Sequence, residues 1–146
     1  MIAETIQLAL APVFVLVAIG NIIGTLSSRL GRVVDRSRQL QQRHADTTEA
    51  EHDAIVRELR IVDNRIELIG KAMLRLVLAG ICIGLTVVML FTQQFVGLDT
   101  HTFAAITFAL AIFSLMWALV LFLRETQQAA EALRIPRPYL ELDRQL

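Results

Sequence analysis

Apolar residues dominate three stretches of the chain, residues 5–28, 76–98 and 102–123, and no charged side chain interrupts any of them. A helix needs about 20 residues, at ~1.5 Å rise each, to cross a ~30 Å hydrocarbon layer, so each stretch is long enough to span a membrane. Buried helices of soluble bundles are usually shorter, which disfavours a soluble reading. Helical spacing continues past the first stretch, with Leu26, Leu30, Val33 and Leu40 recurring while Arg29, Arg32, Arg36 and Arg43 take the other sides. One long helix to about His44 is predicted. A turn follows, with Asp46 and Glu49, or Thr48 and Glu51, spaced as a capping box. Ile55, Leu59, Val62, Ile66, Ile69 and Met73 then form a stripe that leads directly into the second apolar stretch.

The pattern predicts an all-α membrane protein with three transmembrane helices, at about residues 5–28, 69–94 and 102–124. An antiparallel helical hairpin at about 29–68 would be continuous with the first two spans. A short turn containing Gly97 joins the last two spans, with Asp99 or Thr100 as the cap of the third helix, which is expected to end before Pro136. Residues 1–133 thus read as one helical membrane domain, and 134–146 as a tail.

Charge adds a direction. All 14 Lys and Arg residues lie within 29–75 or 124–144, and the connection at about 93–101 carries none. The positive-inside bias places the hairpin and C-terminus in the cytoplasm and the N-terminus outside, as expected for a multi-pass membrane protein. Glu4, the lack of Lys or Arg before the first stretch, and its length argue against a cleaved signal peptide. The hairpin mixes both signs of charge, so it does not read as a nucleic-acid surface.

Within the first span, Gln7, Phe14, Asn21 and Ser28 recur at heptad spacing with Thr25 alongside. A carboxamide in hydrocarbon needs a partner, so this line is expected to face protein or water. It is either interhelical glue or the lining of a conduit, with Arg32 and Asp35 continuing the face. Three helices are too few to enclose a conduit, so that reading requires a homo-oligomer. In the hairpin, Arg32-Val33-Val34-Asp35 with Arg36 is echoed by Arg60-Ile61-Val62-Asp63 with Arg65, and the two motifs are either ordinary helix-surface salt bridges or a charged clasp between arms or between subunits. Glu67, Lys71 and Arg75 extend the second motif toward the bilayer. Arg75, at the edge of the second apolar stretch, is expected to snorkel, pair or face a vestibule. Gly80 and Gly84, one turn apart, are a helix-packing pair.

Chemistry is sparse. His44 and His52 match no metal spacing, Cys82 stands alone, and the apolar stretches hold no Asp or Glu. Neither an enzyme, a metal nor a cofactor is expected. The function read from these residues is a small homo-oligomeric membrane protein conducting ions or solutes through a channel lined by the first helix. The alternative is a non-conducting structural or regulatory protein whose hairpin mediates assembly, lipid or partner binding.

Ala11-Pro12, Asn21, the run Arg29-Leu30-Gly31-Arg32-Val33-Val34-Asp35-Arg36, the run Arg60-Ile61-Val62-Asp63-Asn64-Arg65 and the close Phe122-Leu123-Arg124-Glu125 resemble a bacterial family of small integral membrane proteins, domain of unknown function 2721. The resemblance covers about residues 6–125. It implies a three-span bacterial inner-membrane protein and supplies no activity or catalytic residue.

Overall fold

The computed structural model describes residues 2–45, 47, 49–96 and 99–132. They form three helices, α1 (Ile2–His44), α2 (Glu49–Val96) and α3 (His101–Ala132), all long and apolar enough to cross a membrane. The chain is therefore all-α, as its pattern predicts. The capping residues Asp46 and Thr48, the turn residue Gly97 and the tail 134–146 lie outside the described residues. At the start of α3, the Asp99 side chain accepts from His101 N (3.4 Å), and the carbonyl of Thr100 accepts the first helical bond from Ala104 N (2.9 Å). Thr100 also donates to the carbonyl of Met89 at 2.9 Å, tying the turn to α2.

The core is built on a seven-residue repeat in every helix. Pro12, Ile19, Leu26, Val33 and Leu40 are buried along α1, and Ile55, Val62, Ile69, Leu76 and Ile83 along α2. On α3 the buried rungs are Ala104, Ala111, Ala118 and Glu125. Heptad spacing keeps one seam facing a partner along the whole helix, so long helices can stay packed from end to end. Leu59, Ile66 and Met73, the remaining members of the stripe read from sequence, pack against the same cluster. The extensions of α1 and α2 beyond their apolar stretches pack together antiparallel through Val33, Leu40, Ile55 and Val62.

Helix α2 lies between its neighbours. It packs along both α1 and α3, which make little backbone contact with each other. Small side chains set the closeness on one side: Ala72 and Ala79 of α2 and Ala111 and Ala118 of α3 are all at most 1% exposed. Substituting Ala111→Leu should cost ~1–3 kcal/mol by overpacking this seam. A thermal melt in detergent measures it, and an unchanged midpoint would mean that the seam has slack.

Candidate functional site

Among the described residues, the one fully buried charged side chain is Glu125, at 0% exposure. It occupies the rung of the α3 repeat where the preceding rungs carry alanine, and each of its oxygens meets an arginine from a different helix. Arg29 of α1 donates through Nη1 to Oε2 at 2.6 Å and to Thr126 Oγ1 at 3.3 Å. Arg65 of α2 donates to Oε1 through Nε at 3.2 Å and Nη2 at 2.9 Å. The Arg29 guanidinium also lies 5.1 Å from the centre of the Phe122 ring, within cation–π range. α1 and α3 barely meet through their backbones, and Arg29 joins them through Glu125, Thr126 and Phe122. Asn64 Nδ2 donating to Gln128 Oε1 (3.0 Å) extends the polar contact of α2 with α3.

Within the protomer the ion pairs run differently from a clasp between the two arms. Arg36 pairs with Glu58 at 2.6 Å, Lys71 with Glu67 at 2.6 Å, and Arg65 with Glu125. Arg32, Asp35, Arg60 and Asp63 are exposed, and no ion pair among the described residues joins them. The reason is angular: positions 32, 35, 60 and 63 point outward from a seam whose inner rungs are Val33 and Val62. Glu125 is the acid that sequence reasoning passed over. Its signal was the interrupted ladder Ala104, Ala111, Ala118, which a heptad count along α3 exposes.

The polar line of α1 points away from the other two helices. Gln7, Phe14, Asn21, Thr25 and Ser28 are all exposed, Phe14 at 69%. Thr25 and Ser28 donate back to the carbonyls of Asn21 and Gly24, each at 3.1 Å, whereas the Asn21 carboxamide sits on the outer face. On the same helix, a Cβ added at Gly20, Gly24 or Gly31 would meet nothing within 4 Å. Gly80 does pack, its added Cβ lying 3.6 Å from Leu16 of α1, while Gly84 faces open space.

Depth along the bundle changes the reading of Arg75. Ser114 Oγ donates to the carbonyl of Arg75 at 2.8 Å, so Arg75 stands level with the middle of the apolar stretch of α3. From Arg65, level with Glu125, to Arg75 is a climb of about 15 Å at ~1.5 Å per residue, half the thickness of a ~30 Å hydrocarbon layer. The contact of Leu16 with Gly80 brings Asn21 to nearly the same level. In sequence Arg75 borders an apolar stretch; in the fold it sits deep beside one. At this depth and just below it, α3 exposes Phe113, Met116, Trp117 and Val120. Over the same levels α1 exposes Asn21, Thr25 and Ser28, and α2 exposes Lys71 and Arg75 alongside Leu74 and Val77.

The model of a protein family described as "Protein of unknown function (DUF2721)" matches residues 9–135, and the chain belongs to that family. No curated protein and no solved structure matches the chain. Its three apolar helices and this membership make it a multi-pass membrane protein of a family without an assigned activity.

Proposed function

We propose that the protein is a homo-oligomer of the bacterial inner membrane that passes ions or small solutes along a polar path lined by α1, with α3 toward lipid. The observation that carries this reading is the mismatch at one depth: α3 exposes Phe113, Met116, Trp117 and Val120 where α1 exposes Asn21, Thr25 and Ser28, and α2 exposes Arg75 among the apolar side chains of Leu74 and Val77. A single protomer in a bilayer would press Asn21 and Arg75 against hydrocarbon, which is costly for both. Copies arranged with α3 outward and α1 inward would give those groups water or one another. The basic segments then lie in the cytoplasm by the positive-inside bias, and the paired extensions of α1 and α2 surround the inner mouth. No chemistry on substrates is part of this reading.

A non-conducting assembly is the second reading, favoured by Gly20, Gly24 and Gly31, which leave room for another helix to approach closely. In that case α1 helices seal against each other and the protein orders membrane or partners through its cytoplasmic extensions. Ion flux into liposomes separates the two. Vesicles with wild-type protein should leak faster than empty ones, and Asn21→Leu should change the rate. Vesicles no leakier than empty ones across pH and voltage would reject conduction, and a single-copy mass in the membrane would reject both.

A further inference from the structure

A cavity of about 260 Å³ opens beside the buried carboxylate, and four arginines line it: Arg29, Arg32 and Arg36 from α1 and Arg65 from α2. Its remaining walls are the short apolar side chains of Val33, Val62 and Ala129. The acids that pair with these arginines are Glu125, shared by Arg29 and Arg65, and Glu58, held by Arg36. Two carboxylates against four guanidiniums leave the site with a surplus of positive charge. No ion pair among the described residues engages Arg32.

Two of the arginines, Arg29 and Arg65, are also held in place before any ligand arrives. Arg29 and Arg65 keep only 28% and 21% of their side-chain surface exposed, fixed by Glu125 and, for Arg29, by Phe122. A guanidinium carries five N–H donors in a planar fork. Arg65 spends Nε and Nη2 on Glu125 and retains Nη1; Arg29 spends Nη1 and retains the rest. Pre-fixed forks with donors to spare bind tetrahedral oxyanions at a low entropic cost. The level of the site fits this chemistry. Arg29 directly follows the first apolar stretch, and Glu125 comes just after the third ends. That is where the phosphates of a bilayer leaflet lie.

We propose that Arg29, Arg32, Arg36 and Arg65 form a binding site for a phosphate group, supplied by an anionic lipid headgroup or by a free phosphate. The site does not depend on conduction or on assembly.

The test uses the full chain in a non-ionic detergent and calorimetric titration with short-chain phosphatidylglycerol, diacylglycerol of the same chains, and inorganic phosphate against chloride at equal ionic strength. Binding of phosphatidylglycerol but not diacylglycerol is expected. If inorganic phosphate also binds, the free anion suffices; if it does not, the headgroup within a lipid is the ligand. Arg32→Gln should weaken binding about tenfold, the loss expected for one charge-assisted contact, without moving the melting midpoint. Arg38→Gln, on the same helix outside the cavity, should leave binding unchanged. Equal binding of diacylglycerol, no binding of either phosphate source, or equal losses in Arg32→Gln and Arg38→Gln would overturn the proposal.

Discussion

Replacing Glu125 with alanine is expected to destabilise the fold by ~3–5 kcal/mol, the cost of removing one partner from a buried ion pair. The expected value lies toward the lower end of that range, because Arg29 and Arg65 retain 28% and 21% exposure and can turn partly toward water. Two guanidiniums would then be left facing each other beside the core. Arg29→Ala is a milder change, ~1.5–3 kcal/mol, since Glu125 keeps both of its bonds from Arg65. The measurement is equilibrium unfolding in mixed micelles, with the ordering Glu125→Ala, then Arg29→Ala, then wild type. A Glu125→Ala protein as stable as wild type would mean that the three helices are held by their heptad seams alone.

The triple variant Arg29→Met, Arg65→Met, Glu125→Leu sharpens the point. Apolar replacement of a whole buried ionic cluster is often neutral or stabilising. Stability should therefore return in the triple variant, while binding of phosphate at the arginine cavity should not. If that pattern is found, the cluster is kept for what it binds or orients, because its contribution to stability is one that leucine and methionine can supply.

Much of the fold was written in the spacing of the apolar residues. The three long apolar helices, the continuity of α1 and α2 past their apolar stretches and the stripe from Ile55 to Met73 follow from periodicity, because a helix in lipid must satisfy its own backbone and bury its seam. The cap at Asp99 and Thr100 was legible for a similar local reason. What spacing cannot give is which helix lies in the middle and how far each slides along its neighbours. Those are properties of side-chain fit between seams, such as the alanine rungs of α3 against α2. The depth of Arg75 needed that register, since its place at the start of an uncharged stretch does not say which part of α3 it stands beside. Glu125 was passed over because a glutamate beside Arg124 after a span looks like ordinary surface charge. The arginine cavity needed both facts: it exists only where α1, α2 and α3 are aligned at Glu125.

Cysteine accessibility should then separate the two faces of the bundle by about two orders of magnitude in reaction rate. In a Cys82→Ser background, Asn21→Cys and Arg75→Cys are compared with Phe113→Cys and Met116→Cys, using a charged, membrane-impermeant thiol reagent on protein in liposomes. The reactive species is the thiolate, which needs water to form. A charged group at the centre of a membrane helix costs ~2.5–3.5 kcal/mol on the insertion scale, equivalent to about a hundredfold in thiolate population. Phe113 and Met116 are 68% and 57% exposed on α3, so with α3 toward lipid their replacements should be almost inert. Asn21 and Arg75 stand close in depth to Phe113, yet their replacements should react if α1 and α2 border water. Depth is nearly the same for both sets, so a difference reports which way each face looks. Equal, slow labelling at all four positions would place Asn21 and Arg75 in dry contact between subunits and favour the non-conducting assembly. Fast labelling at Phe113 and Met116 with slow labelling at Asn21 and Arg75 would invert the arrangement and leave α1 outside any polar path.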